Sequence, residues 1–426
     1  DNGNEYDNKQ ILARIAALRA ERAKLIGYPT YAHYALEERM AKEPAQVYSL
    51  LNQLWEPALK VARREAAELQ KLIDEQGGNH KLEPWDWRYY AERIKQARYK
   101  LDEDQLREYF PLDNVLKGAF YVANRLYGLT FTERMDIPKY HPEVRTFEVK
   151  DVDGSHLGLF FTDYHPRPGK RGGAWSSRYR GQYHKDGKDV RPIVVNVCNF
   201  TRPSAGRPAL LNQEEVETLF HEFGHALHSL LSRIHYRSLS TVPRDFVELP
   251  SQIMENWAFE PEVLKVYARH YKTGEVIPQD LVKKIQDSKK FNQGFATVEY
   301  LAASLLDMDW HTITGEAPDA AAFEKASLEK MRMMPEIVVR YRSPYFQHIF
   351  SGGYAAGYYS YIWSEVLDSD AFQAFKEKGL FDKATAAAFR KEILERGGTG
   401  DAMEMYKRFR GRAPSVEPLL ERRGLK

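Results

Sequence analysis

Two histidines four residues apart, with a glutamate directly after the first, are the residues of this chain best spaced for chemistry. They stand in the segment 214–231, EEVETLFHEFGHALHSLL, as His221-Glu222-Phe223-Gly224-His225. On a helix, residues i and i+4 share one face, so both imidazoles reach one tetrahedral metal. Glu222 lies beside that face. A carboxylate there takes a proton from a water attacking a carbonyl and later passes it to the leaving amine. Val216, Leu219, Phe220, Phe223, Leu227, Leu230 and Leu231 predict a buried setting for this helix. His228 follows at i+3 from His225, and its expected role is packing or hydrogen bonding.

A catalytic zinc needs a third protein donor and one open position. The next acid-bearing helical segment runs from Asp245 to Trp257 and places Glu248, Gln252 and Glu255 on one face. Glu248 is the expected third ligand. Glu255 and Glu217 are the expected partners of the far imidazole nitrogens. The expected cofactor is one Zn2+ per chain.

These residues need a scaffold, and most of it reads as helix. Ile11, Ile15, Leu18, Arg22 and Leu25 predict a first helix with an apolar stripe toward the core. A second runs from Pro44 to the Gly77-Gly78 stop, with a candidate kink at Trp55-Glu56-Pro57. Asp86 to Lys100 predicts a third, Asp102 starts a fourth, and 114–126 predicts another. The character changes near Tyr140. Val144 to Lys150 alternates as a strand, Asp153-Gly154 is a hairpin signal, and Leu157 to Thr162 is the return strand. Residues 165–187 read as a loop, and Pro192 to Val197 as a short apolar strand. Helical patterning resumes at Asn212. The expected fold is mainly α, with a small antiparallel sheet (about 144–197) beside the HExxH helix.

Composition narrows the partners. In 426 residues, Lys+Arg is 62 against Asp+Glu 60, a net charge of +2. That balance argues against nucleic acid, which demands clustered basic excess. No apolar run approaches the roughly 20 residues of a membrane span. The single cysteine, Cys198, excludes an internal disulfide and any Cys-based zinc site. The chain opens DNGNEYDNKQ, with no basic-then-apolar leader; with the single cysteine this makes the cytoplasm the expected compartment and the periplasm the alternative.

HEFGHALH followed by RDFVELPSQIMENW resembles the thimet oligopeptidase family of zinc peptidases. Residues 348–363, HIFSGGYAAGYYSYIW, are similar to the family's other signature, and RYRSPYF at 340–346 resembles its bacterial peptidyl-dipeptidase branch. The resemblance spans the whole chain and matches the later part of a family member. It implies a multi-helical zincin-type metallopeptidase body around a channel. Residues 1–140 would form part of the channel wall. Residues 141–426 would form the catalytic domain, with zinc helices at about 212–260 and a Gly/Tyr loop at about 345–363. Family members carry a further helical N-terminal region, which is a candidate partner.

The resemblance implies His221, His225 and Glu248 as zinc ligands and Glu222 as general base, the same four residues. It adds Tyr354 and Tyr361 as donors to the substrate carbonyl and the developing oxyanion, and His348 and Tyr358 as substrate contacts. Gly352, Gly353 and Gly357 suit a loop that closes over bound peptide. The loop 238–243 is slightly shorter than is usual in the family, which bears on the placement of Glu248. Leu157 to Thr162 is a candidate exposed sheet edge on which a peptide adds as a strand. Residues 167–180 read as a solvated surface loop. Arg342 and Tyr345 are expected anchors for a substrate carboxylate.

The expected function is hydrolysis of short peptides with release of C-terminal dipeptides. The alternatives are an internal-cleaving oligopeptidase of the same family, or a non-catalytic helical peptide-binding subunit with a structural zinc. Glu222 and Tyr361 argue against the last, since a structural zinc needs neither.

Overall fold

Small residues decide how the first helix sits. The computed structural model describes residues 3–426. Helix α1 (Lys9–Leu25) buries Leu12, Ala13, Ala16, Ala17, Ala20 and Ala23, while Ile11, Leu18 and Leu25 stay exposed. The stripe read from the sequence is therefore rotated away from the core. An alanine face lets the helix approach its neighbours closely, and that contact outweighs the larger side chains.

The helices continue as α2 (Tyr31–Leu36), α3 (Pro44–Glu75), α4 (Trp87–Tyr99), α5 (Glu103–Arg107) and α6 (Leu112–Tyr127). Pro57 lies inside the single span of α3. Seven strands follow: β1 (Thr130–Glu133), β2 (Arg145–Lys150), β3 (His156–Asp163), β4 (Trp175–Arg180), β5 (Tyr183–Lys185), β6 (Lys188–Val190) and β7 (Ile193–Val197). The second helical part holds α7 (Gln213–Leu230), α8 (Leu249–Ala258), α9 (Pro261–Tyr267), α10 (Gln279–Ser288), α11 (Gln293–His311) and α12 (Ala320–Lys330). It ends with α13 (Gln347–Phe350), α14 (Ser360–Lys378), α15 (Lys383–Phe389), α16 (Ala402–Arg410) and α17 (Glu417–Arg422).

The fold is mainly helical, as expected, but the sheet is mixed. Its order is β1-β2-β3-β7-β4, with β3 and β7 parallel and the other pairs antiparallel. Strand β3 thus lies inside the sheet, between β2 and β7, and offers no free edge. Its Leu157, Phe160 and Phe161 are buried, which suits a central strand covered on both faces. The edge beside the HExxH helix is β4, half polar and largely exposed. The sequence places that segment in a loop because residues 165–187 are rich in Gly, Pro, Arg and Lys, and WSSRYR itself has no apolar alternation to offset them. Nor is the preceding basic stretch simply solvated. The Lys170 side chain is 4% exposed and bonds to Asp163.

Two large hydrophobic cores form, each from segments on both sides of residue 140, and a small third cluster of Val144, Phe161, Val195 and Val197 lies on the sheet. One gathers α6–α9, the inner sheet face and residues 367–406. The other gathers α1–α4, α11 and the start of α14. The HExxH helix belongs to the first core. Tyr354 and Tyr361 pack on the second.

Candidate active site

Helix α7 starts with a capping box. Asn212 Oδ1 accepts from the Glu215 N–H at 2.7 Å, and Glu215 Oε2 accepts from the Asn212 N–H at 2.9 Å. The box fixes where α7 begins and hence which face carries His221 and His225. Gly224 fixes what can reach them. A Cβ there would meet the Pro250 carbonyl oxygen at 2.2 Å and Ser251 Cα at 2.6 Å. Only glycine lets the first turn of α8 press this closely on α7.

That close approach delivers Glu248, the residue just before α8. Its Oε2 lies 3.3 Å from His221 Nε2 and 3.1 Å from His225 Nε2. One donor atom from each residue falls within 4.8 Å of the others. Two imidazole nitrogens and a carboxylate oxygen, converging with a fourth direction open, are a donor set suited to zinc. The short 238–243 loop does not prevent this placement. Ser251 Oγ donates to Glu248 Oε2 at 3.0 Å and helps orient it.

Around this triangle the electrostatics are polarised. His221 Nδ1 bonds to Glu255 Oε1 at 2.6 Å. Burial disfavours a charge on His221, but Glu248 and Glu255 outweigh it and raise its pKa well above the usual imidazole value. Burial likewise opposes the Glu248 charge, and His225 and His221 overcome it, holding the carboxyl well below its usual range. Glu222 is buried, and desolvation raises its pKa. Its Oε2 has no hydrogen-bond partner among the described residues. Glu217 makes no bond to either histidine. Desolvation by surrounding protein, with the Glu255 charge, pushes it up to about 7 although water reaches it. His228 lines the same cavity, and burial lowers its pKa to about 3, so it is neutral.

The cavity holds about 620 Å³ and is walled by α7, β4, the 240–248 segment and the tyrosines. Tyr354 Oη lies 3.5 Å from Glu248 Oε1. Its ring stacks on Tyr361 at 5.2 Å and 15°. Desolvation and neighbouring charge raise both phenols above their ordinary value, so both remain O–H donors.

The remaining expected contacts divide. His348 borders Tyr354, with ring centres 5.8 Å apart. Tyr358 is 3% exposed and packs on Tyr300, Phe346 and His348, away from the cavity wall. Gly352 and Gly353 line a neighbouring cavity against α2. Residues 351–359 form an anchored turn, with three of its N–H groups bound by Asp307. Arg342 and Tyr345 are not brought to the histidines. Arg342 ion-pairs with buried Glu324 and lines a separate groove, and Tyr345 is 53% exposed. Their neighbour Ser343 donates its N–H to the same glutamate at 2.7 Å, which ties this segment to α12.

Three arginines missed from the sequence do line the cavity: Arg39, Arg178 and Arg244. Among the described residues none of them has a carboxylate within ion-pair distance. Arg244 Cζ lies 4.6 Å from the Tyr354 ring centre. Its position four residues before Glu248 was the available signal.

A helical body in which Glu248 meets the two histidines of an HExxH helix, facing tyrosines from a second core, is the arrangement of a metallopeptidase-like class. The chain belongs to peptidase family M3, whose model matches residues 1–425. It is 44% identical over 425 residues to dipeptidyl carboxypeptidase of Escherichia coli, covering 98% of this chain and 62% of that protein. It is 42% identical to oligopeptidase A of Salmonella typhimurium, covering 100% of this chain and 63% of that protein. The chain thus spans less than two thirds of the length of either relative. Among solved structures, the M32 carboxypeptidase from Deinococcus radiodurans shares the fold, with a TM-score of 0.57 and 13% identity over 96% of this chain and 72% of that one. No helix among the described residues is long and apolar enough to cross a membrane.

Proposed function

We propose that this chain is the catalytic part of a zinc peptidase that acts on short peptides and releases C-terminal dipeptides. The observation that carries the reading is the convergence of Glu248 Oε2 on both Nε2 atoms, beside the unpartnered Oε2 of Glu222. When bound at His221, His225 and Glu248, zinc supplies Lewis-acid polarisation of the scissile carbonyl and of the attacking water. Glu222 Oε2 accepts a proton from that water, and desolvation makes this carboxylate a better base than a solvated one. The same oxygen then gives the proton to the leaving amine. Tyr354 and Tyr361 donate to the carbonyl oxygen as its charge grows. Glu255 holds His221 in one ring orientation. The free edge of β4 offers backbone groups to an extended peptide.

A second reading, internal cleavage of longer peptides, draws on the 42% identity to an oligopeptidase A. The deciding experiment measures zinc content and the products from an N-blocked tetrapeptide with a free or an amidated C-terminus, with and without chelator. Chelator-sensitive dipeptide release from the free peptide only is the expected result. Equal cleavage of both peptides, or cutting well inside long blocked ones, favours the oligopeptidase. Turnover that persists after zinc is removed overturns both.

A further inference from the structure

Asp307 lies on α11 with its side chain wholly buried. Its Oδ1 accepts the Ala356 N–H at 3.0 Å, and its Oδ2 accepts the N–H groups of Gly357 at 2.9 Å and Tyr358 at 2.8 Å. His311, one turn along α11, brings Nδ1 within 2.8 Å of Oδ1. Nδ1 also bonds the Asp307 backbone carbonyl at 2.8 Å, and both oxygens only accept, so Nδ1 carries the proton and Nε2 is left as an acceptor. Arg19 of α1 meets that Nε2 at 2.8 Å and also donates to the carbonyl oxygens of Ile349 at 2.6 Å and Phe350 at 3.3 Å.

Removing a carboxylate from water is costly unless its oxygens are fully bonded. Here the bonding is supplied almost entirely by three consecutive N–H groups of one turn. Such a set of converging N–H groups forms a concave anion site, and it forces the backbone into one shape. Ala356 takes φ 50°, a left-handed angle disfavoured by its Cβ, while 1% exposed. The turn joins Tyr354 to Tyr361, whose stacked rings face the histidines.

We propose that Asp307, braced by His311 and Arg19, is a positioning residue that sets the two tyrosines over the cation site. Its effect on turnover rests on the peptidase reading above; its effect on the turn does not.

The test compares the wild-type chain with Asp307→Asn. An amide has one acceptor oxygen and turns its NH2 toward backbone donors. Hydrogen exchange at the 356–358 amides should speed by at least about 10-fold. Zinc per chain should not change. The kcat should fall about 10–100-fold with little change in KM, since an oriented donor is lost rather than a binding surface. The double variant Asp307→Asn/Tyr361→Phe should lose clearly less than the two single losses combined, because part of the Asp307 effect acts through the Tyr361 phenol. Fully additive losses, or unchanged exchange at 356–358, overturn the proposal. Should Asp307→Asn fail to fold, His311→Asn keeps a donor near Oδ1 and severs the link to Arg19. The same pattern, smaller, is expected, and unchanged exchange there also overturns it. A wild-type chain that releases no product defeats the peptidase reading instead, and the exchange data still decide the role of Asp307.

Discussion

His221 Nδ1 lies 2.6 Å from Glu255 Oε1, and that bond selects the tautomer of the ring. The carboxylate can only accept, so Nδ1 carries a proton and Nε2 is the nitrogen left for a metal ion. Glu255→Gln should keep the fold and lower zinc affinity about 10–100-fold, measured by competition with a chromogenic chelator. His221→Ala or His225→Ala should abolish stoichiometric binding. Full zinc occupancy in His225→Ala would remove the ligand assignment.

Gly224 is the point where α7 and α8 touch backbone to backbone. Gly224→Ala should push Glu248 outward, since the added Cβ would sit 2.2 Å from the Pro250 oxygen. Overpacking of this kind costs about 1–3 kcal/mol. We expect weaker zinc binding together with a lowered urea midpoint. A variant with wild-type zinc affinity would show that α8 does not depend on this contact.

Glu222→Gln preserves shape and removes the base. Zinc should remain at one per chain while kcat falls by about 10²–10⁴. Turnover near the wild-type rate, followed by product chromatography, would exclude Glu222 from proton transfer.

Arg244 sits unpaired by any described carboxylate in the wall of the cavity, whereas Arg342 is committed to Glu324. The penalty for amidating a peptide's C-terminus should therefore shrink in Arg244→Ala and persist in Arg342→Ala. A charge-assisted contact of this type is worth about 2 kcal/mol, or roughly 30-fold in kcat/KM. The reverse ranking of the two variants would return the anchor to Arg342.

Asp163 is one of several carboxylates, with Asp151 and Glu365, that stabilise the fold on the acid side. Burial alone would raise its pKa, but hydrogen bonds from Arg167 and Lys170 outweigh burial and hold it at about 2. The folded value lies below the unfolded one near 3.9, so the stabilisation is complete above about pH 4 and is lost as pH falls toward 2. Asp163→Asn should lose about 2 kcal/mol at pH 7 and flatten the decline in urea midpoint between pH 5 and 3. An unchanged pH profile would assign the acid limb to other carboxylates.

Much of the site was legible because its logic is local. The i, i+4 spacing of His221 and His225, the Asn212 cap and the apolar face of α7 are all short-range features. The face shared by Glu248 and Glu255 belongs to the same kind of signal. Periodicity likewise found α3, α6 and β2, a hairpin signal found β3, and a short apolar run found β7.

What the chain's order of residues left open was set by contacts between distant segments. Strand β4 forms because β7 is there to pair with it, since its own residues carry no strand period. Helix α1 turns its alanines inward because close packing favours them, whatever the stripe of larger residues suggests. Arg342 is drawn to Glu324 and Arg244 into the cavity, though both flank recognisable motifs. The motifs determine which groups can do the chemistry. Only the meeting of two cores, with Gly224 permitting one approach and Asp307 holding the other, decides which of them face the same point in space.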